Sequence, residues 1–199
     1  MSDQKKTLQR YVSDMLSVED HILEAIKHQV KDGDFKEFPM AHEFVSKTEV
    51  VLRNHVDTLK MHLDALGGDP GNPVKEAVTS VLGKAAGIID QVRQNDKISA
   101  DLRDDYTALN LAAVSYTLLH TTGLALQDTK TAALAQKHLM DLTPLITRIN
   151  EIIPQIAVQE LKDEGAMVGA MISEQALSNT QKAWSHEHIH AGHPHNWVR

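Results

Sequence analysis

The stretch Tyr106-Thr-Ala-Leu-Asn-Leu-Ala-Ala-Val-Ser-Tyr-Thr-Leu-Leu-His-Thr-Thr-Gly-Leu-Ala-Leu-Gln127 contains no Lys, Arg, Asp or Glu. It is long enough to cross a bilayer, whose hydrocarbon core takes about 20 apolar residues of helix. Asn110, Ser115, His120, Thr121 and Thr122 spread polar groups along it, however, which argues against a span. The reading is a deeply buried helix of a soluble bundle.

Composition agrees with helices. Of 199 residues, 42% are apolar and 4% aromatic, so the core is built mainly from Ala, Val, Leu, Ile and Met. That set suits packed helices better than sheets. One domain of this length buries most of its unfolded surface, and a second full domain is not expected. The formal charge of −7, without a Lys/Arg cluster, speaks against a nucleic-acid groove. There is no cysteine, which excludes disulfides, thiolate catalysis and cysteine-ligated metals. With 12 histidines, the net charge turns positive in mildly acidic solution. The N-terminus lacks an apolar signal core, so the cytoplasm is the expected location, with no membrane partner.

Working outward from Tyr106–Gln127, apolar residues recur at steps of three and four in four long segments. A first helix spans about Asp3–Val30, with Tyr11, Met15, Val18, Ile22, Ile26 and Val30 on one face. Lys31–Phe35 stops it, with Gly33 suited to a left-handed cap, and Pro39 suits the first turn of a second helix reaching Leu66. Phe44, Val51, Leu52, His55, Leu59, His62 and Leu66 are its inward candidates. A third helix covers about Ala100–Leu126. A fourth covers Thr131–Leu161, with Pro144 and Pro154 predicting a kink or restart near Thr143. Between the second and third, Val74–Val92 is a shorter amphipathic segment. Short links make antiparallel neighbours and a long link makes parallel ones, so the expected architecture is an all-α, up-down-down-up bundle with one helical crossover, as ferritin-like folds have. Residues 1–161 form this bundle; residues 162–199 form an extension, with a weak helix over Gly165–Trp184 and a flexible tail from Ser185.

The first helix, Asp14-Met-Leu-Ser-Val-Glu19-Asp-His-Ile-Leu-Glu24-Ala-Ile26, resembles the opening helix of the bacterial YciE/YciF-type ferritin-like proteins. Val114 and Gly123 have the separation of a matching pair on that family's third helix; His55-Val-Asp-Thr and Leu139-Met-Asp-Leu stand where it tends to have His-Leu-Glu-Glu and Leu-x-Glu-Glu. The likeness covers roughly residues 5–160 at low identity. It implies a stress-associated protein with a dinuclear iron or related centre, held by carboxylates on all four helices and Glu-x-x-His on two. Glu19 is retained and is a plausible ligand. Thr58 replaces an inward glutamate, Ser115 and Leu118 replace two more, Asp141-Leu142 replaces a Glu-Glu pair, and none of the four helices carries Glu-x-x-His. A conventional ferroxidase site is therefore not expected.

Residual candidates remain. His55 and His62, seven residues apart, share a helical face, and a repurposed core site would combine Glu19, His55, His62, His138 and Asp141 around iron or another transition metal. Alternatively these are core or boundary groups bonded to one another. In the tail, His186, His188, His190, His193 and His195 form a tract that can chelate Ni, Cu or Zn, or else a polar tail with incidental metal affinity. No phosphate loop, nucleophile elbow or His-Glu-x-x-His accompanies them. The expectation is a structural or binding protein rather than an enzyme, with an atypical core metalloprotein and metal sequestration by the tail as alternatives. Self-association, in the simplest case as a dimer, is expected.

Overall fold

The computed structural model describes residues 3–71 and 97–185. Its helices are α1 (Asp3–Lys31), α2 (Gly33–Glu37), α3 (Pro39–Ala65), α4 (Ile98–Ala125), α5 (Thr129–Asp163) and α6 (Ile172–Trp184), and no strand occurs among the described residues. The proposed crossover helix over Val74–Val92 and the histidine tract both lie outside the described residues. Two compact units are present, Met1–Ile149 and Asn150–Arg199.

Cross-helix contacts fix the topology of the first unit. Between α1 and α3, His42 Nε2 donates to the Val30 carbonyl (3.3 Å), His55 meets Glu19, and Gln9 Nε2 donates to the Leu66 carbonyl (2.6 Å). Residue numbers descend along one helix as they climb along the other, so α1 and α3 are antiparallel. His55–Asp141 and His62–Thr131 make α3 and α5 antiparallel, and Tyr116–His138 and His120–Ala132 do the same for α4 and α5. It follows that α3 runs parallel to α4, in an up-down-down-up order. The core is apolar along most of its length, with Val12, Ile26, Phe35, Val45, Leu52, Leu59, Leu102, Leu109, Leu142 and Ile149 fully buried.

Helix ends follow backbone chemistry. At the end of α3, Gly67 (φ 71°) turns the chain into the left-handed region, while the Gly68 N–H donates to the Leu63 carbonyl (2.9 Å) and the Gly67 N–H to Asp64. This is the Schellman arrangement, which satisfies otherwise orphaned carbonyls. The same bonds close α4, but there the left-handed residue is Gln127 (φ 58°). Gly33 does not act as a left-handed cap. It opens α2, whose first turn is held by the Asp32 carboxylate accepting from the Asp34 N–H (2.9 Å), and α2 exists to place Phe35 in the core.

Two other expectations are corrected, and the kink or restart expected near Thr143 is narrowed to exclude a restart. Helix α5 runs without a restart through Pro144 and Pro154. Pro144 is exposed, so the carbonyl it leaves unpaired faces water, and Thr143 Oγ1 donates back to the Leu139 carbonyl (2.9 Å). The extension's helix begins at Ile172, not Gly165: Gly165 (φ 85°) closes α5 instead. Finally, Tyr106–Gln127 is buried on one face only, through Leu109, Ala112, Tyr116, Leu119 and Gly123, while Val114 is 69% exposed and Leu118 51%. No described helix is long and apolar enough to cross a membrane.

Gly123 permits close packing of α4 on the start of α5, since a Cβ there would lie 2.7 Å from the Ala132 backbone nitrogen. Gly123→Ala is therefore expected to lose about 1–2 kcal/mol in urea unfolding, the clash outweighing the gain in helix propensity. Gln127→Gly is expected to gain about 1 kcal/mol, because glycine enters the left-handed region without steric cost.

Candidate metal centre

Midway along the first unit, four helices each contribute a polar group to the core. Glu19 on α1, His55 on α3, Tyr116 on α4 and His138 on α5 are all at most 2% exposed. Each sits on its helix's inward stripe, so the amphipathic periodicity that buries Ile22, Leu59, Leu119 and Leu142 buries them as well. Asp141, one turn beyond His138, lies at the rim with its side chain 37% exposed.

His55 is the hub. Its Nδ1 is 3.1 Å from Glu19 Oε1 and its Nε2 is 3.4 Å from Asp141 Oδ2. Each nitrogen of the ring thus faces a carboxylate oxygen. Asp141 in turn accepts from Lys137 Nζ (2.6 Å), at the solvent edge. Burial works against ionisation of Asp141, but Lys137 and His55 outweigh it and hold the carboxyl below its usual range. The His138 ring stacks on His55 with centroids 3.8 Å apart and planes 7° from parallel, and its Nδ1 is 2.8 Å from the Tyr116 hydroxyl. Burial, then the electrostatic influence of His55 and Lys137, push His138 down to about 3, so its ring is neutral at neutral pH. Burial and then the Glu19 charge push the Tyr116 phenol well up. A hydrogen bond with Glu19 adds to that rise, while Glu19 Oε2 is buried with no partner at full hydrogen-bond geometry.

Of the residues singled out in the sequence, Glu19, His55, His138 and Asp141 are brought together. His62 is not among them. It lies toward the end of α3, with Nε2 2.7 Å from Thr131 Oγ1, at the start of α5 where Asp128 accepts from the Thr131 N–H (2.8 Å). Burial lowers its pKa against the pull of Asp128. The tail histidines lie outside the described residues. Thr58, Ser115 and Leu118 do not face the cluster: Leu118 points to solvent, and the two hydroxyls donate to Asn54 and Leu111 carbonyls of their own helices. Sequence reasoning missed Tyr116. Its signal was the stripe Leu109, Ala112, Tyr116, Leu119, Gly123, which sets the tyrosine inward where the register taken from Ser115 and Leu118 does not.

An ion bonds imidazole in the ring plane, at about 2.0–2.1 Å. Two stacked, nearly parallel rings cannot both aim at one ion in that way. Among the described residues, no group of three or more His, Asp or Glu is disposed to hold a metal. One helical turn before His55 stands Leu52, and one turn before His138 stands Ala135, both fully buried.

A crystal structure of ferritin-like, diiron-carboxylate proteins from Bacillus anthracis str. Ames matches this chain with a TM-score of 0.60, covering 77% of this chain and 99% of that one. The fold is ferritin-like. Sequence identity is 15%, so the likeness concerns this ferritin-like fold alone. No protein-family model matches the sequence. No curated protein matches it either.

The cluster makes stability depend on pH. His138 binds its proton less readily folded than unfolded, so between about pH 6.5 and pH 3 the unfolded state holds more protons. Stability then falls as pH is lowered through that window, by up to about 1.4 kcal/mol per pH unit. His62 and Asp141, also lowered, act in the same direction. Urea midpoints taken from pH 7 to pH 4 are expected to fall steeply, and less steeply for His138→Gln. Replacing His55 by Ala leaves the buried Glu19 without its hydrogen-bond partner and opens a cavity beside it, and a loss of about 3–5 kcal/mol is expected in urea unfolding at pH 7.

Proposed function

We propose that this chain is a ferritin-like protein of the cytoplasm, acting as a structural or binding protein associated with stress rather than as a ferroxidase. The observation that carries the reading is the pair Leu52 and Ala135. In ferritin-like di-metal bundles, two helices supply a Glu each and the other two supply Glu-x-x-His, all pointing inward. His55 and His138 lie inward on α3 and α5, as the histidines of such motifs would. Three residues before each, an aliphatic side chain replaces the carboxylate, and on α4 the inward residue is Tyr116. Glu19 and Asp141 are then the carboxylates left, and both are engaged by His55. Two hard cations close together need several anionic oxygens to offset their charge. These residues do not fit a dinuclear centre.

The stress association and the kinship with YciE/YciF-type proteins rest on the resemblance of the first helix. A second reading is favoured by one observation, the buried Glu19 Oε2 with no partner at full hydrogen-bond geometry: a single transition-metal ion taken up by Glu19, His55, His138 and Asp141 after the rings unstack. Sequestration of metal by the tail histidines is separate from both.

Metal content separates these readings. Protein prepared without affinity resin, as full chain and truncated after Trp184, is expected to hold less than about a tenth of an equivalent of iron, manganese or zinc in the core, and not to accelerate Fe²⁺ oxidation by air. Near-stoichiometric metal that survives truncation and is lost in His55→Gln would replace the first reading by the second.

A further inference from the structure

Oxidants attack accessible thiols first, and this chain has none. Its three tyrosines and two tryptophans are then the side chains that lose a single electron most easily. They are not equivalent. Trp184 is 62% exposed, and the Arg10 guanidinium lies 5.3 Å from the centroid of the Tyr11 ring, where a cation holds the ring's electrons back. Tyr116 is completely buried, with the rings of His138 and His55 nearly perpendicular to its own and their centroids 5.1 and 5.9 Å away.

A phenol gives up an electron easily only when its proton leaves at the same moment, because the oxidised phenol is a very strong acid. The proton therefore needs an acceptor already within hydrogen-bond reach. Tyr116 has a polar group on either side of its hydroxyl. One is Glu19, whose Oε1 faces His55 and whose Oε2 is buried with no partner at full hydrogen-bond geometry. The other is His138 Nδ1, at 2.8 Å. A hydroxyl owns one proton and can also accept. With the phenol donating to Glu19, the neutral His138 ring donates its Nδ1–H to the phenol oxygen, and both contacts are satisfied at once.

We propose that Tyr116 is a one-electron donor to small oxidising radicals in solution, with Glu19 as its proton acceptor and His138 as hydrogen-bond donor to the phenoxyl radical. The oxidant, a radical anion of the carbonate type, takes one electron and becomes the closed-shell dianion. The phenol O–H bond breaks, its proton passes to Glu19 Oε2, and a neutral radical remains on Tyr116. One electron returned by an enediol such as ascorbate, itself oxidised to its radical, brings the proton back and restores the phenol. The electron crosses one helix thickness, about 10 Å, by tunnelling, while the radical centre stays out of reach of solvent. No heavy atom has to move, and the chain holds no thiol to quench the product.

The test uses the full chain and the carbonate radical, made by flash photolysis of persulfate in bicarbonate buffer, with freeze-quenched electron paramagnetic resonance as the readout. A tyrosyl signal is expected that disappears in Tyr116→Phe and outlives the radicals left in that variant by roughly tenfold or more. In the unaltered chain this signal should carry a proton coupling that exchanges in heavy water, and His138→Phe should remove the coupling. Glu19→Gln, which keeps the side chain's shape, should slow the appearance of the signal by about tenfold or more, as loss of a general base does. Ascorbate is expected to erase the signal and return protein of unchanged mass. A signal that survives Tyr116→Phe overturns the proposal. So does a Tyr116 radical that decays together with those of Tyr11 and Tyr106, or that shows no exchangeable coupling. Oxidation as fast in Glu19→Gln as in the unaltered chain overturns the assignment of the proton acceptor.

Discussion

Burying Glu19 beside His55 constrains the centre of this bundle more than any apolar contact does. A carboxyl group at 0% exposure is tolerated only with a hydrogen-bonding partner, and His55 is that partner. That demand propagates. His55 must present its other nitrogen to Asp141, Asp141 must stay ionised, and Lys137 at the rim holds it so. The ring stacked on His55 has to be neutral, and the Tyr116 hydroxyl beside it gives that neutral ring a polar neighbour. One polar layer thus sets the register of four helices between aliphatic layers that would tolerate sliding far better.

Much of the fold was legible because helix periodicity and link length are local. The four long helices, their order and the parallel relation of the second and third could be read from apolar spacing and from Gly67–Pro73. What was not legible depended on surroundings. A proline breaks a helix only where its lost hydrogen bond cannot be made up, and Pro144 faces water. Gly33 resembled a cap because glycine tolerates the left-handed region, yet the residue that enters it after α4 is Gln127, held by the close approach at Gly123. An uncharged run looked like a core helix, whereas its outer half is exposed threonine, valine and leucine.

The cluster was partly legible for the same reason. Glu19, His55, His138 and Asp141 could be nominated from residue type and helical position. His62 was nominated on equal grounds, since it shares a face with His55. Seven residues along that face carry it about 10 Å away, and the partner it meets there, Thr131, is set by the packing of α5 and not by the local spacing. Tyr116 was overlooked because the register was taken from neighbours that turn out to face elsewhere. One residue of register on a helix is a rotation of about 100°, enough to exchange a core group for a surface one.

The parallel course of α3 and α4 divides the first unit into two antiparallel hairpins, α1 with α3 and α4 with α5. Glu19 and His55 belong to one, Tyr116, His138 and Asp141 to the other. Each half therefore carries part of a polar puzzle that is solved only when the halves meet, and the stacked imidazoles lie on the seam between them. A half-molecule folded alone would present those groups to water, where they cost nothing. Joining the wrong half, or the right one displaced by a turn, would bury them unpaired. The cluster thus works as a recognition key between the chain's own two halves.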